Sequence, residues 1–162
     1  MIWYLLACNS SSTDSAQITA WFDMDQWRQM SAEEDFSDHR PPEVNCPVTA
    51  FQIELDQLEI QTDSCNYAAL LWDTNVTIPA HTILESLVLH TGLWALEDTE
   101  AHVALYINGE LFWEEHPPIP SDTAFFFYDQ EWNTEIPAGS TVHLHLHNHG
   151  ANNWKFGYFQ VQ

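Results

Sequence analysis

The chain has 162 residues, enough for one domain with a real core and a short appendage. Three Lys+Arg against 24 Asp+Glu give a formal net charge of −21, which repels phosphate backbones and anionic headgroups and argues against nucleic acid as a partner. With 45% apolar and 14% aromatic residues, the composition is too hydrophobic for a disordered chain.

The chain opens MIWYLLACNSSSTDS, in which Leu5-Leu6-Ala7-Cys8 resembles the lipobox of bacterial lipoproteins and NSSSTDS their polar tether. That resemblance implies lipidation of the Cys8 sulfur and an exported protein, at the cell surface or in the periplasm, that meets a membrane only through its anchor. The seven residues before Cys8 hold no Lys or Arg and are shorter than a full signal. No run reaches the roughly 18 apolar residues of a spanning helix. Trp21, Met24, Trp27 and Met30 then recur at helical spacing and predict a short N-terminal helix, which Pro41-Pro42 cannot continue. Residues 1–43 therefore read as signal, tether and helix, and residues 44–162 as the compact domain.

Cys46 and Cys65 lie 19 positions apart. In an exported protein they predict a disulfide tying the start of the domain to the strand CNYAALLW; two reduced core thiols are the alternative. From Phe51 onward the texture is period-two and punctuated by turns. FQIELDQLEI alternates, with a register slip at Asp56-Gln57, and strands follow at 65–72, 82–90, 101–107 and 110–115. Asn108-Gly109 between the last two is the strongest hairpin signal. AFFFYDQEW, TVHLHLHNH and NWKFGYFQV complete about eight to ten short strands. The pattern is all-β, an antiparallel sandwich or barrel, because no helices alternate with the strands.

In TVHLHLHNHG, the residues Val142, Leu144 and Leu146 alternate with His143, His145, His147 and His149. Core-facing aliphatics would turn all four imidazoles outward, spread over some 20 Å at about 3.3 Å per residue. Four such rings cannot share one ion. Two neighbours could chelate zinc or copper with help from another strand, and His102 in AHVALYI is turned to the same outer side. A His-rich solvent face and a ligand-stacking face are the other readings of this stretch.

The run AHVALYINGELFWEE followed by IPAGSTVHLHLHNHGANNWKFGYFQV resembles the C-terminal half of galactose-binding-like jelly rolls and the carbohydrate-binding modules built on them. The resemblance covers roughly residues 65–162 and implies a jelly-roll β-sandwich that holds a sugar in its end loops. Carried over by position, it implies Asn152 or Asn153 beside Trp154 as ligand-binding residues, with Trp132 and Trp94 in two further loops. Stacking of a sugar face on Trp with amide hydrogen bonds suits these residues, and closing the core at the sandwich ends is the alternative for Trp154 and Trp94. Many such modules carry a calcium-ligating Asp in the closing strand. The matching residue here is Gly157, which argues against calcium at that position, while Glu54, Asp56 and Glu59 could serve a calcium ion elsewhere.

No GxSxG elbow, HExxH or glycine-rich phosphate loop is present, so catalysis is not expected. The reading is a non-catalytic, exported module that recognises a glycan or another cell-surface component. Its alternatives are a copper- or zinc-binding protein using the histidine strand, and a surface protein that assembles with itself or a partner. The stretch from Asn148-His149-Gly150 into Trp154 is the first place to look for a ligand.

Overall fold

Period-two alternation places one side chain of each pair toward a common core and the next toward the outside, and the strands follow it closely. The structure is a computed structural model that describes residues 26–162. Its strands are β1 (Arg28–Gln29), β2 (Phe51–Glu54), β3 (Gln57–Gln61), β4 (Tyr67–Asp73), β5 (Thr82–His90) and β6 (Thr99–Glu100). They continue with β7 (His102–Ile107), β8 (Glu110–Glu115), β9 (Pro118–Ile119), β10 (Ala124–Trp132), β11 (Thr141–His147) and β12 (Asn153–Val161).

Two antiparallel sheets form the sandwich, ordered β1-β4-β11-β7-β8 and β10-β5-β12-β3-β2, with β6-β9 as a small separate pair. The chain crosses between the two sheets from β1 to β2, β3 to β4, β4 to β5, β5 to β7, β8 to β10, β10 to β11 and β11 to β12, which gives the jelly-roll sandwich expected from the sequence. The core between the sheets is built from Leu70 and Trp72, Val103 and Leu105, Val142, Leu144 and Leu146 on one side, and Leu58, Ile60, Leu84, Val88, Trp154 and Phe156 on the other. Burial of such large apolar side chains, each worth about 1.5–3 kcal/mol, is the main stabilising contribution.

Asn108 and Gly109 turn with φ of 50° and 79°, making the predicted two-residue hairpin. The irregularity in FQIELDQLEI proves sharper than a register slip. Leu55 and Asp56 adopt φ of 52° and 61° and form a second two-residue turn that joins β2 to β3. Leu55 points into solvent there, so hydrophobic periodicity hid the turn.

The helix expected around Trp27 and Met30 is not formed in the described residues. β1 instead adds an edge to the first sheet, Arg28 opposite Leu71 and Gln29 opposite Leu70. The apolar spacing serves two separate contacts: Trp27 lies beside Trp72, and Met30 packs on Tyr67, Ala69 and Leu71. The sandwich therefore extends upstream of Val44. Trp21, Met24, the tether and Cys8 with its lipobox lie outside the described residues. No helix among the described residues is long and apolar enough to cross a membrane.

After β1 the chain runs in turns across the outer face of the first sheet, and several groups hold this 31–40 strap down. The Asp35 carboxylate accepts hydrogen bonds from the Tyr67 hydroxyl, from Arg40 at 2.9 Å and from the Ser37 amide at 3.0 Å. Arg28 pairs with Glu34 at 2.7 Å. Cys46 and Cys65 are joined by the predicted disulfide, anchoring the end of this segment beside β4.

Candidate functional site

The loop after β11 contains Asn148, whose amide nitrogen donates to the Thr62 hydroxyl at 3.0 Å and whose amide oxygen accepts the Trp154 indole N–H at 3.1 Å. Thr62 donates in turn to the Asn152 carbonyl at 2.7 Å, and the Asn152 amide oxygen accepts the backbone N–H of Trp94. Gly150, at φ 107°, lies so close to this second loop that a Cβ would sit 2.1 Å from the Trp94 carbonyl oxygen. Buried polar side chains thus clamp the two loops together at one end of the sandwich, which fixes the conformation from Leu93 onward.

The clamp presents Trp94 with 58% of its surface exposed. A cleft of about 490 Å³ opens beside it, lined by Trp94, Leu96, Glu97, Asp98, Thr99 and His149 among others. A flat aromatic face next to carboxylates, a hydroxyl and an imidazole can stack on one side of a ligand while hydrogen-bonding its rim.

The other residues expected to bind a ligand are placed differently. Asn152 is buried and acts by holding the Trp94 loop. Asn153 donates to Glu59 at 2.8 Å on the outer side of the second sheet. Trp154 is wholly buried against His90, and Trp132 is buried at the opposite end of β5, edge-on to Phe112. Both indoles close the core, the alternative that the sequence had left open for Trp154 but not for Trp132. Of the expected set, Trp94 alone offers a ring to solvent. Thr62, Asn148 and Gly150 are the residues that sequence reasoning did not assign. For Asn148 and Gly150 the signal was their place in the AsnHisGly stretch, whereas Thr62 carried none.

Two of the three acidic residues suggested for calcium are engaged elsewhere: the Lys155 ammonium bonds Glu54 and lies 3.2 Å from Glu59. Gly157 instead permits a bulge in β12, where a Cβ would meet the Leu87 side chain at 2.8 Å.

The histidine strand is the central surprise. β11 lies between β4 and β7, so the neighbour missing from the sequence reading is β7: His147 faces His102, His145 faces Ala104 and His143 faces Tyr106. The imidazoles do point away from the sandwich core, yet His143 and His145 are not on a solvent face. The strap covers them, with Phe36 edge-on to His143 at 4.6 Å and His39 against His102 at 4.4 Å. Tyr67 closes the other flank 5.0 Å from His145. His145 is 0% exposed, and neither ring nitrogen of His143 or His145 has a hydrogen-bond partner among the described residues.

Burial disfavours the charged imidazolium and pushes His143 down to about 4 and His145 to about 2, the latter also repelled by His102 and His143. His147 falls to about 4 through burial and then the neighbouring His149. Burial, then His116 and His39, lowers His102 as well. Burial alone would raise Asp35, but the hydrogen bonds from Tyr67, Ser37 and Arg40 outweigh it and hold its carboxyl below the usual range. His149, in contrast, lines the Trp94 cleft and a second cleft of about 320 Å³ with His39, Thr99, His102, His116 and His147.

No family model matches the chain and no curated protein sequence matches it. Solved structures that match it include one described as "CBM4 structure and function", at 9% identity and TM-score 0.42, covering 74% of this chain and 77% of that one. A second is TmCBM61 in complex with beta-1,4-galactotriose, at 11% identity and TM-score 0.38, covering 86% and 83%. A third, an arabinose-bound MgGH51 α-L-arabinofuranosidase, matches at 9% identity and TM-score 0.43 over 84% of this chain, which spans only 23% of that protein.

Proposed function

We propose that the protein is a non-catalytic, exported binding module for a neutral glycan, held to a membrane through a lipid on Cys8. The observation that carries the glycan reading is Trp94: a Trp ring more than half exposed, on a loop that buried hydrogen bonds hold rigid, at the wall of a polar-rimmed cleft. Exposing so large an apolar face is costly unless a ligand covers it, and a sugar offers the matching flat C–H surface. Glu97 and Asp98 at the rim and a net charge of −21 repel uronic and sulfated chains, which selects for neutral sugars. The Cys46–Cys65 disulfide supports an oxidising compartment.

The test is retardation of the protein in native gels containing neutral or acidic polysaccharides, backed by a glycan array. Neutral chains are expected to retard the wild type, and Trp94→Ala to abolish the effect. The variant Phe127→Ala removes an exposed ring on the far sheet and serves as the control. Retardation by acidic chains alone, or loss with Phe127→Ala and not with Trp94→Ala, would overturn the reading.

A further inference from the structure

We propose that His102, Glu114 and His116 form a binding site for a divalent transition-metal ion, with zinc as the preferred class. The three come together because β7 and β8 are a hairpin. His102 begins β7, Glu114 lies near the end of β8, and His116 follows one residue beyond it, so period two turns Glu114 and His116 to the same side. Their ligand atoms all lie within 4.8 Å of one another, with Glu114 Oε2 3.3 Å from His102 Nε2 and 3.6 Å from His116 Nε2. Ligand atoms around tetrahedral zinc lie roughly 3.3–3.5 Å apart, given metal–ligand bonds of about 2.0–2.1 Å. The His102 and His116 rings are stacked with centroids 4.3 Å apart, so the exposed His116 ring closes on an ion by turning out of that stack.

Two further observations point to a ligand. His102 is buried, so packing holds its ring with Nε2 turned toward Glu114, a donor already placed for an ion. Beside the triad, His39, His147 and His149 line the same cleft of about 320 Å³, so a third imidazole is at hand as fourth ligand, from the strap or from the β11 end. Two or more imidazoles with one carboxylate are a borderline-soft donor set, suited to zinc and its neighbours and poor for calcium or magnesium. The site differs from the one the sequence suggested. His143 and His145 lie under the strap, while the metal donors gather where β11 meets the hairpin end.

The inference does not depend on the glycan reading, and its test uses no sugar. Untagged protein stripped with EDTA is titrated with zinc chloride in a calorimeter, and with Co(II) while the visible d–d absorption is followed. One equivalent should bind and give the spectrum of four- or five-coordinate cobalt. His116→Gln and Glu114→Gln change exposed positions, so the fold is retained, and each should weaken zinc by at least about tenfold. His81→Gln, a change to an exposed histidine paired with Glu131 on the other sheet, should leave binding unchanged. No heat beyond dilution, or zinc binding that survives both Gln substitutions at positions 114 and 116, would overturn the assignment.

Discussion

Gly150 is where the binding end of the molecule is most sensitive to a single atom. Its φ of 107° disfavours any L side chain, and a Cβ would sit 2.1 Å from the Trp94 carbonyl oxygen, so backbone must move. Gly150→Ala should cost about 2–3 kcal/mol in urea unfolding and shift the Trp94 fluorescence, because the displaced loop is the one that carries the ring. Unchanged stability would show that the loops separate freely. Trp94 itself was legible in the sequence as an indole in a loop. Its partners were less so: Asn152 looked like a ligand contact and is a strut, since a side-chain amide serves either purpose and only packing decides between them. Trp154 and Trp132 illustrate the same ambiguity for indoles, whose burial depends on neighbours from other strands.

At the level of elements, β11 carries apolar side chains inward and imidazoles outward, and both faces are covered. The strand boundaries were readable because alternation and turn residues are local signals. The strap was not, because covering the outer face of a sheet is a long-range event and the Trp27–Met30 spacing imitates a helix. That cover has a pH signature. His143 has a folded-state value near 4 against an ordinary 6.5, so below pH 6.5 the unfolded chain binds the extra proton. Stability is therefore full above about pH 6.5 and declines as pH falls toward 4, at about 1.4 kcal/mol per pH unit. Asp35, the charged group that opposes this at His143, adds a loss in the same direction once pH falls through the carboxylate range, since its folded value is also depressed. Urea melts in EDTA should show the wild type losing about 2 kcal/mol between pH 6.5 and 5 beyond any loss in His143→Phe, a variant whose ring suits the pocket between Phe36 and Tyr106. Parallel pH profiles for the two proteins would contradict a neutral, buried His143.

For the whole molecule, a charge of −21 on 162 residues means self-repulsion opposes compaction everywhere on the surface. Raising sodium chloride from about 20 mM to 500 mM shortens the screening length from roughly 20 Å to 4 Å. The melting temperature is expected to rise by roughly 3 °C or more, about 1 kcal/mol, and calorimetry across that range checks it. A falling melting temperature would mean that ion pairs outweigh repulsion. All three basic residues of the chain are paired with carboxylates: Arg28 with Glu34, Arg40 with Asp35, and Lys155 with Glu54 and Glu59. They therefore fasten the strap and the closing strand, and none adds a free positive charge to the surface. This scarcity also bears on resistance to proteolysis. A protease that cuts after Lys or Arg finds only three bonds to attack: one precedes Pro41, which resists such cleavage, and the other two lie within β1 and β12, whose backbones are tied into sheets. Folded, the chain offers trypsin-like enzymes almost nothing to digest.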